Sequence, residues 1–204
     1  STDVNDLFVH GGWPTLLGRL VDGSDLTTEE ARDVMAVVLA GKATDAQLAG
    51  LLLGLRGKGE APAEVSGMVD AMLDAAAPLD LAQPNVIDLV GTGGSPRRRT
   101  RALNVSTAAC FVAAGAGAKV CKHGNRKASS TSGSTDLLEA LRVEVELDGP
   151  AVVSCVRDAG VGFAFARMFH PAMRHAAPVR AELGIPTVFN LLGPLSHPGH
   201  AGMQ

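Results

Sequence analysis

The sequence has few aromatic residues, no tyrosine and no long hydrophobic run. Phe, Trp and Tyr together make up 3% of its 204 residues, so Ala, Val and Leu must form most of the core. The longest apolar run, Ala108–Ala118, ends at Lys119, short of the roughly 18 residues that a membrane-spanning helix requires. The N-terminus lacks the basic stretch followed by an apolar stretch that marks a signal peptide. We therefore expect a cytoplasmic protein that does not contact a membrane.

Cysteine content and net charge limit the class of protein further. Cys110, Cys121 and Cys155 lie far apart without a C-x-x-C pair, which predicts buried, reduced thiols rather than a disulfide framework or a metal site. The formal net charge of −3 argues against a general nucleic-acid-binding protein. An apolar fraction of 46% is ordinary for a folded globular chain.

The first eighty residues predict a bundle of short helices. Apolar residues recur at helical spacing in Trp13–Leu20. Thr27–Glu30 and Thr44–Gln47 have the pattern of capping boxes that open the next two helices. Pro62 opens a fourth helix, because proline suits the first helical turn. We expect residues 1–83 to form a helical domain.

After Pro84 short apolar runs alternate with helical segments, which predicts βαβ units and a mostly parallel sheet. Strands are predicted at Val86–Val90, Lys119–Cys121, Val143–Leu147 and Thr187–Asn190. Helices are predicted at Ser106–Ala116, Leu137–Leu141 and Pro150–Ala159. The expected fold class is α/β, with the helical domain joined to a larger parallel-sheet domain at residues 84–204. We expect this second domain to be truncated at its C-terminus, and a helical segment near 168–184 to pack on the first domain.

Two segments predict a phosphate site. Gly91–Gly94, with the sequence Gly-Thr-Gly-Gly, follows the first predicted strand, and glycine lets backbone N–H groups approach a phosphate closely. By itself this pattern fits a plain tight turn equally well. Asn104–Thr107 adds two hydroxyls and free amides at the start of a helix, where anions bind. With both segments present, phosphate binding is the better interpretation, and a hydroxyl there is suited to meet a magnesium ion.

The segment Lys122–Arg126 adds charge and polar groups at the next strand end. Lys122, facing the glycine turn, is predicted to act as a point charge for phosphate. His123 and Asn125 are candidates for positioning a second substrate, although a lone loop histidine is more often a structural residue. The hydroxyl-rich segment that follows is interpreted as the rest of the anion site rather than as a solvated linker. Its candidate residues are Ser129, Ser130 and Ser134.

A third group surrounds His170 and Arg180. If a helix starts at Pro171, Arg180 lies on an apolar face and needs an anionic partner. A ligand carboxylate suits its planar guanidinium, and a salt bridge with Glu182 or a neighbouring helix is the equal alternative. The basic run Arg97–Arg101 suits nucleic acid or a diphosphate, but without interleaved aromatics it is better interpreted as a solvated loop.

Taken in chain order, five motifs resemble the anthranilate phosphoribosyltransferase family: Gly91–Gly94, Asn104–Thr107, Lys122–Arg126, Ser129–Leu138 and Pro186–Leu195. The resemblance implies a small helical domain joined to a larger α/β domain, and a homodimer formed through the helical part. It implies transfer of a phosphoribosyl group from 5-phosphoribosyl 1-diphosphate (PRPP) to the amine of anthranilate in tryptophan biosynthesis. Pyrophosphate leaves, and Mg²⁺ accompanies the diphosphate.

The resemblance also implies roles for particular residues, and none of them is a general base. The residues that hold PRPP would be Gly91, Thr92, Gly94, Asn104, Ser106, Thr107, Lys122, Ser129, Ser130 and Ser134. Those that line the anthranilate side would be His123, Asn125, His170 and Arg180. Ser106 would touch the metal ion, and the acidic metal-binding pair of the family would lie beyond Gln204.

The sequence departs from the family where Ser95–Arg101 replaces an acidic residue and a short turn. This departure keeps a second hypothesis open, a non-catalytic relative that binds phosphate or nucleic acid. A third hypothesis, ranked last, is a pyrimidine nucleoside phosphorylase, which has a similar architecture and also acts at an anomeric carbon.

Overall fold

The computed structural model of the protein describes residues 11–83, 85–91, 104–126 and 133–204. The chain divides into two units. The first unit contains residues 1–75 and 172–196, and the second contains residues 76–171 and 197–204. The polypeptide therefore passes from one unit to the other three times.

The described residues form helices and three strands, which are numbered here in chain order. They are α1 (Gly12–Val21), α2 (Thr28–Leu39), α3 (Asp45–Lys58), α4 (Pro62–Asp74), β1 (Val86–Ile87), α5 (Val105–Gly115), β2 (Lys119–Gly124), α6 (Ser134–Ala140), α7 (Gly149–Ala159), β3 (Val161–Phe165), α8 (Ala166–Phe169), a 3₁₀ helix (Pro171–His175), α9 (Ala177–Leu183) and α10 (Phe189–Leu195). None of the described helices has the length and apolar character needed to cross a membrane.

The helices of the first unit begin where the sequence predicts. The Thr27 hydroxyl accepts a hydrogen bond from the backbone N–H of Glu30 at 3.2 Å, and the Glu30 carboxylate accepts one from the N–H of Thr27 at 2.8 Å. Thr44 and Gln47 repeat the same reciprocal pair at 3.2 and 2.9 Å. Both predicted capping boxes are confirmed, and each satisfies two N–H groups that a helix start leaves without partners.

The core of the first unit consists of leucine, valine and methionine side chains from α1 to α4, joined by Val179, Phe189 and Leu192 from α9 and α10. Gly67 on α4 lies against the backbone of α2, since a Cβ at this position would lie 2.0 Å from the carbonyl oxygen of Thr28. Only glycine permits this approach between the two helices.

The second unit is built on a parallel sheet with the strand order β1–β2–β3. β1 pairs with β2 over only two residues, with Ile87 opposite Val120 as the last pair. β2 pairs with β3 as far as Gly124 opposite Phe165. On the other side of β1, Ile87 forms an isolated parallel bridge with Met203. The parallel α/β architecture predicted from the sequence is confirmed.

Two predicted strands are wrong, and one strand was missed. The segment Val143–Leu147 is not a strand, because the Glu144 carboxylate accepts hydrogen bonds from the N–H groups of Val145 and Glu146 and so occupies donors that a sheet would need. The segment Thr187–Asn190 is not a strand either. The Asn190 side chain accepts from the Thr187 N–H at 3.0 Å, and this local bond leads into α10. The third strand is β3, which follows α7 directly.

The three cysteines are free thiols, as predicted, but they are not all buried. Cys110 and Cys121 are buried, and Cys155 is half-buried. Burial raises the pKa of Cys110 to about 11 and that of Cys121 to about 12. Both thiols are therefore neutral at physiological pH, which excludes them as nucleophiles there.

Candidate functional site

Of the predicted phosphate-binding residues, the structure describes a subset in the second unit: Gly91, Asn104, Ser106, Thr107, Lys122 and Ser134. Gly91, which begins the glycine turn, is exposed. Thr92 and Gly94 lie outside the described residues, as do the basic run Arg97–Arg101 and the two serines Ser129 and Ser130.

The start of α5 carries an unusual buried hydroxyl. Thr107 is fully buried, and its Oγ1 has no hydrogen-bond partner among the described residues. Ser106, beside it in the first turn, is half-buried. Asn104 precedes the helix and donates from its side-chain amide to the carbonyl oxygen of Gly133 at 3.2 Å. This bond connects two segments that the sequence assigned to the same anion site.

Lys122 lies within β2 rather than after it, because the pairing of β2 with β3 continues through Gly124. The prediction that Lys122 follows a strand is therefore wrong. Its side chain is buried, and Nζ donates a hydrogen bond to the carbonyl oxygen of Leu89, two residues before the glycine turn. Burial lowers the pKa of Lys122, and the nearby Asp88 carboxylate opposes this shift. An ammonium group has three donors, so the contact with Leu89 leaves two for a ligand.

Three buried histidines lie together in the second unit. The ring of His123 lies 5.1 Å from that of His170 and 5.8 Å from that of His197, measured between centroids. His197 Nδ1 accepts from the N–H of Gly199 at 3.0 Å, so its Nε2 carries the proton and donates to the carbonyl oxygen of Cys121 at 2.9 Å. Burial lowers the pKa of His197, which keeps this ring neutral.

Sequence reasoning identified His123 and His170 but missed His197. Nothing near His197 marks it, because its hydrogen-bond partner Cys121 lies 76 residues away in the sequence. The three rings do not form a metal centre: within the described ranges, no group of three or more His, Cys, Asp or Glu side chains is arranged to hold a metal ion.

The end of β2 is joined to the start of α6. The carbonyl oxygen of Asn125 accepts from the Ser134 hydroxyl at 3.3 Å and from the Thr135 N–H at 3.5 Å. Arg126 forms ion pairs with Glu139 at 2.5 Å and Glu146 at 3.1 Å. The structure thus brings together Asn125 and Ser134, which were predicted to bind different substrates.

Arg180 lies in the first unit, on α9. The condition that one helix starts at Pro171 and reaches Arg180 is not met, because a 3₁₀ helix ends at His175 and α9 begins at Ala177. Arg180 is half-buried, and its guanidinium lies 4.8 Å from the centroid of the Phe189 ring. Burial lowers its pKa. It forms no ion pair with any described carboxylate, so the alternative of a salt bridge with Glu182 is not observed.

Asp88 was also missed by the sequence analysis. Its side chain is buried, and Oδ1 accepts from the backbone N–H of His123 at 3.1 Å. Burial raises the pKa of Asp88 to about 6, although the bond from His123 and the charge of Lys122 both act in the opposite direction. A single acidic residue in an apolar run gave no sign of this contact, which depends on the pairing of β1 with β2.

Two consecutive stretches of the chain match the two domain models of one protein family. Residues 14–76 match the helical bundle domain of the glycosyl transferase family, and residues 83–204 match its a/b domain. The chain is 52% identical over 188 residues to an anthranilate phosphoribosyltransferase of Saccharopolyspora erythraea, which covers 92% of this chain and 52% of that protein. It is 49% identical over 189 residues to the Salinispora arenicola enzyme of the same name, covering 91% of this chain and 53% of that protein.

Solved structures agree with the sequence comparisons. The crystal structure of anthranilate phosphoribosyltransferase from Thermus thermophilus is similar with a TM-score of 0.84 and 49% identity, over 91% of this chain and 55% of that one. The Saccharomyces cerevisiae enzyme in complex with PRPP and Mg is similar with a TM-score of 0.82 and 29% identity, over 98% of this chain and 57% of that one. This chain spans about half the length of these relatives. It belongs to the glycosyl transferase family, and within that family to the anthranilate phosphoribosyltransferase group.

Proposed function

We propose that this protein transfers a phosphoribosyl group from PRPP to the amine of anthranilate. The products are N-(5-phosphoribosyl)anthranilate and pyrophosphate, a step of tryptophan biosynthesis. The relatives named above carry this activity in their names, which favours it over the pyrimidine nucleoside phosphorylase considered from the sequence.

The observation that most directly supports the proposal is the buried Thr107 hydroxyl at the start of α5. A buried polar group without a hydrogen-bond partner costs about 1–3 kcal/mol, and among the described residues Thr107 Oγ1 has none. It lies where the free N–H groups of a helix start attract anions. A phosphate oxygen of PRPP would accept its hydrogen bond, so ligand binding would recover the cost.

The reaction is a displacement at the anomeric carbon. The amine nitrogen of anthranilate forms a bond to this carbon while the bond to the diphosphate oxygen breaks. Positive charge grows on the sugar and negative charge grows on the departing diphosphate. In this proposal Lys122 and the N–H groups of α5 would stabilise the diphosphate, while Asn125 and the two histidines His123 and His170 would orient the acceptor. Positioning and charge stabilisation would supply most of the acceleration.

Mg²⁺ would be held at this site mainly by the diphosphate of PRPP. The ion prefers oxygen ligands and is usually bound by one or two carboxylates together with substrate phosphates and water. Among the described residues, the half-buried Ser106 at the start of α5 is the candidate protein ligand. These residues contain no cluster of three or more acidic, histidine or cysteine side chains that could hold the ion. When bound, the ion would neutralise the charge of the diphosphate.

Arg180 is our candidate for the carboxylate of anthranilate. A half-buried guanidinium without a carboxylate partner among the described residues retains the capacity for a bidentate ion pair. The guanidinium carbon of Arg180 lies over the Phe189 ring, 4.8 Å from its centroid. We further propose a homodimer formed through the helical unit, and a cytoplasmic location in which the three thiols stay reduced.

Replacement of Thr107 by valine tests the donor site. Thr107→Val removes the hydroxyl and preserves the shape of the side chain, so we expect unchanged or slightly higher thermal stability, because no internal hydrogen bond is lost. We expect PRPP affinity, measured by calorimetry in the presence of Mg²⁺, to fall about tenfold, the loss of one hydrogen bond to a charged group.

Thr187→Val is the matched control. The Thr187 hydroxyl is also buried without a partner among the described residues, but it lies in the first unit. It should show the same stability effect and unchanged PRPP affinity. Equal PRPP binding by both variants would contradict the placement of the donor. If the unsubstituted protein neither binds PRPP nor causes a loss of anthranilate fluorescence, the proposed enzymatic activity is rejected. Salt-dependent DNA binding by the same protein would then support the hypothesis of a non-catalytic relative.

A further inference from the structure

The ends of β1 and β2 are connected by side chains rather than by backbone pairing. The backbone pairs of these strands stop at Ile87 and Val120, although β2 continues for four residues beside β3. Beyond this point the Asp88 carboxylate accepts from the N–H of His123 at 3.1 Å, and Lys122 Nζ donates to the carbonyl oxygen of Leu89. These two reciprocal contacts attach the segment that enters the glycine turn to the end of β2.

The groups that form these contacts are almost inaccessible to water. Asp88 is 1% exposed and Lys122 is 3% exposed. A buried charge is costly unless a counter-charge or hydrogen bonds compensate it. The Asp88 carboxylate supplies the counter-charge that opposes loss of the Lys122 proton, and the Cys110 thiol, which also acts on Lys122, is neutral at physiological pH.

Other groups near Asp88 do not compete for this role. Its Oδ2 lies 3.4 Å from the side-chain amide of Gln204, and its own N–H donates to the carbonyl oxygen of Met203 at 2.9 Å. The charge of Asp88 helps to raise the pKa values of the Cys110 and Cys121 thiols, and both thiols are protonated at physiological pH. Within the described part of the chain, Cys110 and then Asp88 oppose the lowering of the Lys122 pKa, and of these two groups only Asp88 is charged at physiological pH.

We propose that Asp88 is a positioning residue for the phosphoribosyl donor. Its carboxylate keeps Lys122 as an ammonium group, and it holds the segment leading into the glycine turn against the end of β2. The proposal rests on the proposed function, in which Lys122 binds a phosphate of PRPP. Asp88 itself does not need to touch the donor, because its effect is transmitted through the charge of Lys122 and the position of Leu89.

The pH dependence of PRPP binding in Asp88→Asn tests the proposal. Asparagine keeps an oxygen that accepts from His123 but removes the negative charge. Burial already lowers the pKa of Lys122, and without the charge of Asp88 this pKa should fall further. The alkaline decline in PRPP affinity should therefore move down by about one pH unit. At alkaline pH we therefore expect the variant to bind PRPP more weakly than the unsubstituted protein, whereas at neutral pH the two should differ less. Asp80→Asn, at an exposed carboxylate of the same unit, should match the unsubstituted protein.

The thermal stability of Asp88→Asn separates this role from a structural one. Because the pKa of Asp88 is raised to about 6, the native state binds more protons than the unfolded state between about pH 4 and 6. Stability from this group is therefore present below that window and is lost as the pH rises through it. Removal of the charge should leave the Tm at pH 7 unchanged or higher. A residue that only supports the fold would lower the Tm and PRPP affinity together.

A titration that does not involve the donor decides the role of Asp88 independently. The titration midpoint of Lys122, followed by NMR of labelled lysine in the unsubstituted protein and in Asp88→Asn, should fall in the variant. An unchanged midpoint, or an unchanged pH profile of PRPP binding, would overturn the role of Asp88. Absence of PRPP binding in the unsubstituted protein would instead reject the proposed function.

Discussion

Glu64 shows how a fully buried carboxylate is accommodated in the first unit. Its Oε1 accepts from the N–H of Leu26 at 2.9 Å, and its Oε2 accepts from the N–H of Ala61 and from Lys58 Nζ, both at 2.7 Å. Lys58 also pairs with Asp25 at 2.7 Å. One side chain therefore satisfies two loop amides and a buried ammonium group, and joins segments on both sides of α3.

Loss of this carboxylate should be costly. Glu64→Ala should lower the free energy of unfolding by about 3–5 kcal/mol, because it leaves two loop amides without their acceptor and removes one of the two carboxylates that pair with the buried Lys58. Glu64→Gln should lose less, since its carbonyl oxygen still accepts. Urea denaturation followed by circular dichroism measures both.

The exposed ion pair between Arg32 and Asp74, at 2.6 Å, provides the comparison. Its side chains are 52% and 61% exposed, so solvent screens the attraction. Asp74→Ala should leave the urea midpoint unchanged. If Asp74→Ala lowered the free energy of unfolding as much as Glu64→Ala, burial would not explain the contribution of Glu64 to stability.

At the scale of elements, two helical glycines allow the effect of helix packing on stability to be distinguished from the effect of helix propensity. A Cβ at Gly67 would lie 2.0 Å from the carbonyl oxygen of Thr28, whereas a Cβ at Gly18 would meet nothing within 4 Å. Gly67→Ala should force α2 and α4 apart and lower the Tm by several degrees. Gly18→Ala should be neutral or stabilising, because alanine is favoured over glycine in helices by up to about 1 kcal/mol. Equal Tm changes in thermal denaturation would contradict the close approach.

The elements that the sequence predicted well are those with local signals. The capping boxes at Thr27 and Thr44 depend on residues three positions apart, so their pattern is visible in the sequence. The wrong strands at Val143–Leu147 and Thr187–Asn190 have apolar character, but side chains of Glu144 and Asn190 take local backbone donors. Apolar pattern alone does not show which donors a neighbouring side chain occupies.

At the scale of the whole molecule, the candidate site was predictable in part. Lys122 and Asn125 of the second unit became candidates because they are polar residues that follow an apolar run, although Lys122 lies within β2 and not after it. Asp88 and His197 were not, because their partners lie 35 and 76 residues away in sequence and are brought near only by the sheet and the segment after α10. Motifs indicate which ligand is bound, whereas the residues that hold the motifs in place require the fold.

The proposed homodimer predicts a mass in solution twice that of one chain. Val21, at the end of α1, is 82% exposed, which is unusual for a large apolar side chain and suits a contact through the helical unit. Val21→Lys should shift the mass measured by light scattering toward that of one chain at micromolar concentration. Val112→Lys, at a residue 74% exposed in the second unit, is the control and should leave the mass unchanged. Dissociation by Val112→Lys alone would place the contact elsewhere.

The three passages of the chain between the two units have a consequence for synthesis on the ribosome. Val179, Phe189 and Leu192 belong to the core of the first unit but are translated after residues 76–171. The helices α1 to α4 therefore emerge first and must wait, with part of their apolar surface uncovered, while most of the second unit is made. We expect this interval to be the stage at which the nascent chain depends most on chaperones, since exposed apolar surface in a partly folded chain promotes aggregation.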